Sequence, residues 1–131
     1  MEEIKYSARV KSVGAEGLEF LKLGIMILFD EDAPKDLLEI CVSHERAPLE
    51  SEVMCGDFIE IVSKKYEIIY VGKEVNSSLK TMGHATIRLN WDVSDVLPGD
   101  IVVSGESSFH VKTGDMIKIV SAPMEETDFD K

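Results

Sequence analysis

Gly56-Asp57-Phe58-Ile59-Glu60-Ile61-Val62-Ser63-Lys64-Lys65-Tyr66-Glu67-Ile68-Ile69-Tyr70-Val71 decides the fold class. Phe58–Val62 and Tyr66–Val71 are short runs rich in β-branched and aromatic residues, and Ser63-Lys64-Lys65 between them is a hairpin signal. The Gly-Asp pair that opens the stretch recurs. Gly99-Asp100 precedes IVVSG, and Gly114-Asp115 precedes MIKIV. Glycine supplies the positive φ of a tight turn, and aspartate accepts hydrogen bonds from nearby amides as the strand begins. Such a turn, used repeatedly before short strands, predicts an all-β fold of about six to eight short strands, a small barrel or sandwich. The turns are irregularly spaced, so they are not the period of a solenoid.

The flanking sequence extends the pattern. In Ile4–Val13, Ile4, Tyr6, Ala8 and Val10 share one face, with Lys5, Ser7, Arg9 and Lys11 on the other. Ile25–Phe29 is a continuous apolar strand suited to burial on both faces. Ala85–Trp91 alternates, with Ala85, Ile87, Leu89 and Trp91 inward and Thr86, Arg88 and Asn90 outward. Ile101–Ser104 and Met116–Val120 complete the strands. Two short helices interrupt them. One covers Pro34 to about Cys41, with Pro34 in its first turn and Leu37, Leu38 and Cys41 toward the core. The other covers Ser77 to Met82, capped by Asn76 or Ser77 and ended by Gly83 in the left-handed conformation.

At 131 residues the chain reads as one domain over 1–122 followed by an acidic tail, 123–131, that frays. A net charge of −11 repels phosphate backbones and anionic membranes, so nucleic acid is disfavoured as a partner and a basic protein is favoured. The longest apolar run, GIMILF, is too short to span a bilayer. The acidic N-terminus MEEIKYSARV is no signal peptide, and with two cysteines, Cys41 and Cys55, it points to a cytoplasmic chain with free thiols.

Chemistry concentrates in ILFDEDAPKDLLEICVSHER, residues 27–46. His44 follows the first helix. A neutral imidazole is a competent nucleophile near neutral pH and can form a high-transfer-potential P–N bond. Arg46, Ser43 and amides turned toward the site after Cys41 are candidate donors to the phosphoryl oxygens, whereas Glu45 carries the wrong charge for that task. The competing reading makes His44 a hydrogen-bonded, half-buried histidine. His84, at the mouth of the strand ATIRLNW, either joins the site or is a polar strand-edge residue. His110 is expected to be exposed and without function. Cys41-x-x-His44 has metal-ligand spacing, but a structural zinc site needs a second tight pair, so no metal is assigned. No Gly-rich phosphate loop or nucleophile elbow is present.

LFDEDAPKDLLEICVSH, then GHATIRLN, then LPGDIVVSG resemble the glucitol/sorbitol-specific enzyme IIA of the bacterial phosphoenolpyruvate-dependent sugar phosphotransferase system. The resemblance runs over roughly residues 3–122 and implies a small all-β barrel. It implies a phosphocarrier that takes a phosphoryl group from the phosphohistidine of HPr on His44. The group then passes to a cysteine of the IIB component of a membrane permease, for polyol uptake. Arg46 and His84 are expected within reach of that phosphoryl group, and no cofactor is required. The alternative is a regulatory or interaction module of the same fold without phosphoryl turnover.

Overall fold

The computed structural model describes residues 2–122; the tail 123–131 lies outside the described residues. Eight strands close into a barrel in the order β1-β3-β2-β6-β7-β5-β4-β8. They are β1 (Ile4–Val13), β2 (Ile25–Asp30), β3 (Val42–His44), β4 (Phe58–Ile61), β5 (Lys64–Val71), β6 (Ala85–Leu89), β7 (Asp100–Ser104) and β8 (Met116–Val120). Three short helices punctuate them: α1 (Ala15–Lys22), α2 (Lys35–Leu38) and α3 (Val75–Met82). Closure leaves no unpaired edge. Pairs β2–β3 and β6–β7 are parallel and the other pairs antiparallel. Inward residues of every strand, among them Ala8, Met26, Ile59, Ile68, Ile87, Ile101 and Ile117, fill the barrel.

The hairpin forms with a tighter loop than the Ser63-Lys64-Lys65 reading. Ile61 pairs with Lys64, and Val62 takes φ 57° between them. The three Gly-Asp turns share one device. Asp57, Asp100 and Asp115 each accept the amide of the residue three back, from Met54, Leu97 and Lys112, while their own amides return to those residues' carbonyls. Gly56 and Gly114 both take φ 94°. Gly99 is outside the left-handed region, so its turn needs no positive φ at the third position.

Four expectations are corrected. Ile4 is half exposed and Lys5 buried, since a bulge between Ile4 and Tyr6 shifts the alternation of β1. Strand β6 stops at Leu89, where Asn90 takes φ 54° and turns Trp91 out under the Arg88 guanidinium, 5.0 Å from its ring. Asn76 does not cap α3, which begins at Val75. Its side-chain amide instead clamps both backbone polar groups of Val53. Helix α1 is the third helix, beyond the two expected. A Cβ on Gly14 would lie 2.1 Å from the Glu39 carbonyl oxygen, and one on Gly17 3.0 Å from that of Cys41. Two glycines lower helix propensity locally, but here they let α1 lie directly on the backbone entering β3.

Candidate functional site

The site is built on the carboxyl ends of the parallel strands β2 and β3, where Asp30 pairs in register with His44. Both side chains lie on the inner side of the wall, and both are buried. The chain enters β3 directly from Cys41, α2 is shorter than expected, and residues 42–44 pair with β1 and β2 where a turn presenting amides to His44 was expected. The Glu45 amide is bound to the Arg9 carbonyl on β1. Ser43 points the other way and pairs with Ser12 at 3.1 Å. Glu45 faces Arg9 at the surface, so its charge is directed away from the imidazole.

His44 is fully buried, at 0% exposure. Its Nδ1 lies 2.8 Å from the carbonyl oxygen of its neighbour Glu45, and its Nε2 2.9 Å from that of Gly83. Both partners only accept, so a ring with hydrogen on one nitrogen satisfies one contact and turns a lone pair on the other. Gly83 ends α3 with φ 60°, as its position between helix and strand predicted, and its amide and that of His84 return to Leu79 and Ser78. Its packing is as demanding as its φ. A Cβ there would lie 2.7 Å from His44 Cε1, 2.9 Å from Asp30 Cβ and 3.0 Å from Tyr6 Oη.

Two residues of this group were not singled out in the sequence. Asp30 is 3% exposed; Oδ1 accepts the Asp32 amide at 2.9 Å, and Oδ2 lies 3.6 Å from Arg46 Nε. Arg46 also pairs with Asp32, so two carboxylates hold the guanidinium at the mouth of the site. Tyr6 places its ring edge-on to His44, with centroids 5.9 Å apart, and its hydroxyl has no hydrogen-bond partner among the described residues. Burial, and secondarily the Asp30 charge, push its phenol up to about 12. Acidic residues within DEDAP and an alternating Tyr6 were visible, but nothing in their spacing said that they would meet at His44.

His84 occupies different surroundings. It is half-buried, with Nδ1 3.0 Å from the Leu28 carbonyl oxygen and its ring 4.9 Å from that of Phe29. Phe29 alternates along β2 with the inward Leu28 and Asp30, so His84 lies on the outer side of the wall that has His44 on its inner side. His110 is exposed on an apolar cleft of about 320 Å³ between Leu18, Leu21 and Phe109, which shares no residue with the His44 group. Cys41 is buried, which raises its thiol, and Cys55 is exposed; both are free. Among the described residues no three His, Cys, Asp or Glu side chains are arranged to hold a metal.

Residues 5–118 match the family described as the glucitol/sorbitol-specific IIA component of the phosphotransferase system. The chain belongs to this family. It is 27% identical over 116 residues to the glucitol/sorbitol-specific EIIA component of Escherichia coli (strain K12), covering 88% of this chain and 94% of that one. The same figures hold for the Shigella flexneri component. The crystal structure of a phosphotransferase system IIA component from Enterococcus faecalis V583 shares the fold. Its TM-score is 0.74 at 23% identity, over 85% of this chain and 96% of that one. Among the described residues no helix is long and apolar enough to cross a membrane.

Proposed function

We propose that this IIA component is a phosphocarrier. It takes a phosphoryl group from phospho-HPr on Nε2 of His44 and delivers it to a cysteine of a IIB component that serves polyol uptake. The observation that carries this reading is the unequal hold on the two ring nitrogens. Nδ1 faces the carbonyl of Glu45, the next residue of the same chain segment, whereas Nε2 faces the carbonyl of a turn from another element. With hydrogen on Nδ1 donated to Glu45, Nε2 carries the lone pair, and withdrawal of the Gly83 turn exposes it. That withdrawal is required twice over: His44 has no exposed surface, and the carboxyl end of α3 opposes a phosphoryl dianion.

The step balances as follows. The Nε2 lone pair forms the new P–N bond as the donor's P–N bond breaks. A donor ring protonated on its other nitrogen departs as neutral imidazole, and the acceptor becomes a phosphoimidazolium that keeps its Nδ1 hydrogen on Glu45. Transfer onward to a thiolate reverses these roles. Catalysis is positioning and electrostatics. Arg46, held at the mouth by Asp30 and Asp32, supplies the positive charge that the incoming group meets. The acidic surface, at net charge −11, speeds encounter with a basic face on the donor.

A second reading rests on His84. Its Nδ1 donates to Leu28, which leaves Nε2 as the lone-pair nitrogen on a partly exposed ring, the tautomer a nucleophile needs. The complete burial of His44 equally suits a regulatory module without turnover. Labelling from phosphoenolpyruvate, enzyme I and HPr separates the three. The expected result is an acid-labile, base-stable label that is lost in His44→Ala and retained in His84→Ala and His110→Ala. Loss in His84→Ala alone transfers the role to His84, and a folded wild type that never takes label leaves the regulatory module.

A further inference from the structure

We propose that the Tyr6 hydroxyl is a catalytic donor to the phosphoryl group, an inference that rests on His44 being the acceptor. Tyr6 is 1% exposed, and its hydroxyl is the buried side-chain polar atom left without a partner among the described residues. Buried donors are almost always paired, so an orphan inside a polar cluster is an uncommon arrangement that calls for a cause. Asp30, whose Oδ1 takes the Asp32 amide and whose Oδ2 faces Arg46, does not bond the phenol, and neither does the Gly83 carbonyl.

The direction of the hydroxyl supplies the rest. Tyr6 Oη, His44 Cε1 and Asp30 Cβ all converge, within 3.0 Å, on the point where a Gly83 side chain would begin. On the proposed mechanism the phosphoryl group enters beside this point once the Gly83 turn uncovers Nε2. A phosphoryl group entering there brings acceptor oxygens to the side on which the phenol waits. Tyr6 then donates its O–H to one of them, a charge-assisted bond that is absent while the turn is closed. The donor keeps its proton throughout, and no other bond forms or breaks. Desolvation holds the phenol protonated far above neutral pH, so it remains a donor across the working range. An interaction made only once phosphorus arrives lowers the barrier to transfer without tightening the resting protein.

Tyr6→Phe keeps the ring and its edge-on contact with His44 and removes only the hydroxyl. Rapid-quench labelling from phospho-HPr is expected to show formation of phosphohistidine slowed about tenfold or more, the scale of a hydrogen bond to a charged group. The thermal midpoint is expected to hold or rise, because an unpaired buried donor is removed. A purely structural role would do the reverse, lowering the midpoint and leaving the rate within about twofold. In the intact chain carrying ¹³C-labelled tyrosine, the Tyr6 Cζ resonance is expected to move on phosphorylation; a resonance that stays put overturns the donor role even if the variant misfolds. Label on His44 with an undiminished Tyr6→Phe rate removes this inference alone. Label on His84 in the wild type removes both it and the His44 reading.

Discussion

Lys5 and Tyr6 are neighbours on β1, and each leads into a buried polar group, but the two groups are finished to different degrees. Lys5 Nζ donates to the Glu52 carbonyl and to Asp57 Oδ2, both at 2.8 Å, and Asp57 Oδ2 also takes the Met54 amide at 2.7 Å. Every charge there has its opposite and its hydrogen bonds. Around Tyr6 the hydroxyl is orphaned, and His44 faces two acceptors with one ring. A saturated buried network specifies and holds a structure, whereas a partly satisfied one is costly to keep and persists where function uses it. The bulge between Ile4 and Tyr6 makes the contrast possible, because it turns consecutive residues both toward buried surroundings.

The largest effect expected on this comparison comes from cutting the saturated group. Lys5→Ala leaves Asp57 buried and unpaired and is expected to cost about 3 kcal/mol or more in denaturant unfolding. The folded fraction should still label on His44 at the wild-type rate. A loss below about 1 kcal/mol, in the range of exposed pairs, would show that the two groups are not distinguished by burial.

Gly83→Ala strikes the unfinished group. A φ of 60° and three contacts at or below 3.0 Å argue for a cost of about 1–3 kcal/mol together with slowed labelling, since Cβ intrudes where the proposed mechanism brings phosphorus in. Unchanged stability would count against both the turn and its packing on His44.

The smallest effect is visible only at high pH. The Tyr6 phenol is raised to about 12, against about 10 in the unfolded chain. A raised folded value means that the unfolded state releases its proton first. The stability gained from neutral Tyr6 is therefore whole below about pH 10 and falls as pH rises from there through about 12. Tyr6→Phe should flatten the decline of stability in that window. Equal slopes in the two proteins would mean that the phenol is not desolvated as the structure places it.

Much of this was legible in one dimension. Alternating β-branched runs, the hairpin and the three Gly-Asp turns follow from backbone sterics and side-chain period, which act over a few residues, and they specified an all-β fold; the family resemblance chose the barrel over the sandwich. Gly83 as a left-handed helix end is equally local, because only a residue without Cβ takes that conformation without strain. His44 was picked out by residue chemistry and by resemblance. Helix α1 was not legible, because Gly14 and Gly17 argue against a helix until the backbone of residues 38–41 is known to lie against them. The start of β1 was not legible either: Tyr6, Ala8 and Val10 face the core as their alternation predicts, but a bulge before Tyr6 turns Ile4 out and Lys5 in. Least legible was the company of His44. Tyr6, Asp30 and Gly83 come from β1, β2 and the end of α3, and only barrel closure brings them to one point. Sequence marked His44 as a residue of nucleophile-grade chemistry; the tertiary structure decided which side of the wall each histidine occupies, what covers the imidazole, and which buried hydroxyl lacks a partner among the described residues, because those are long-range contacts that no local pattern encodes.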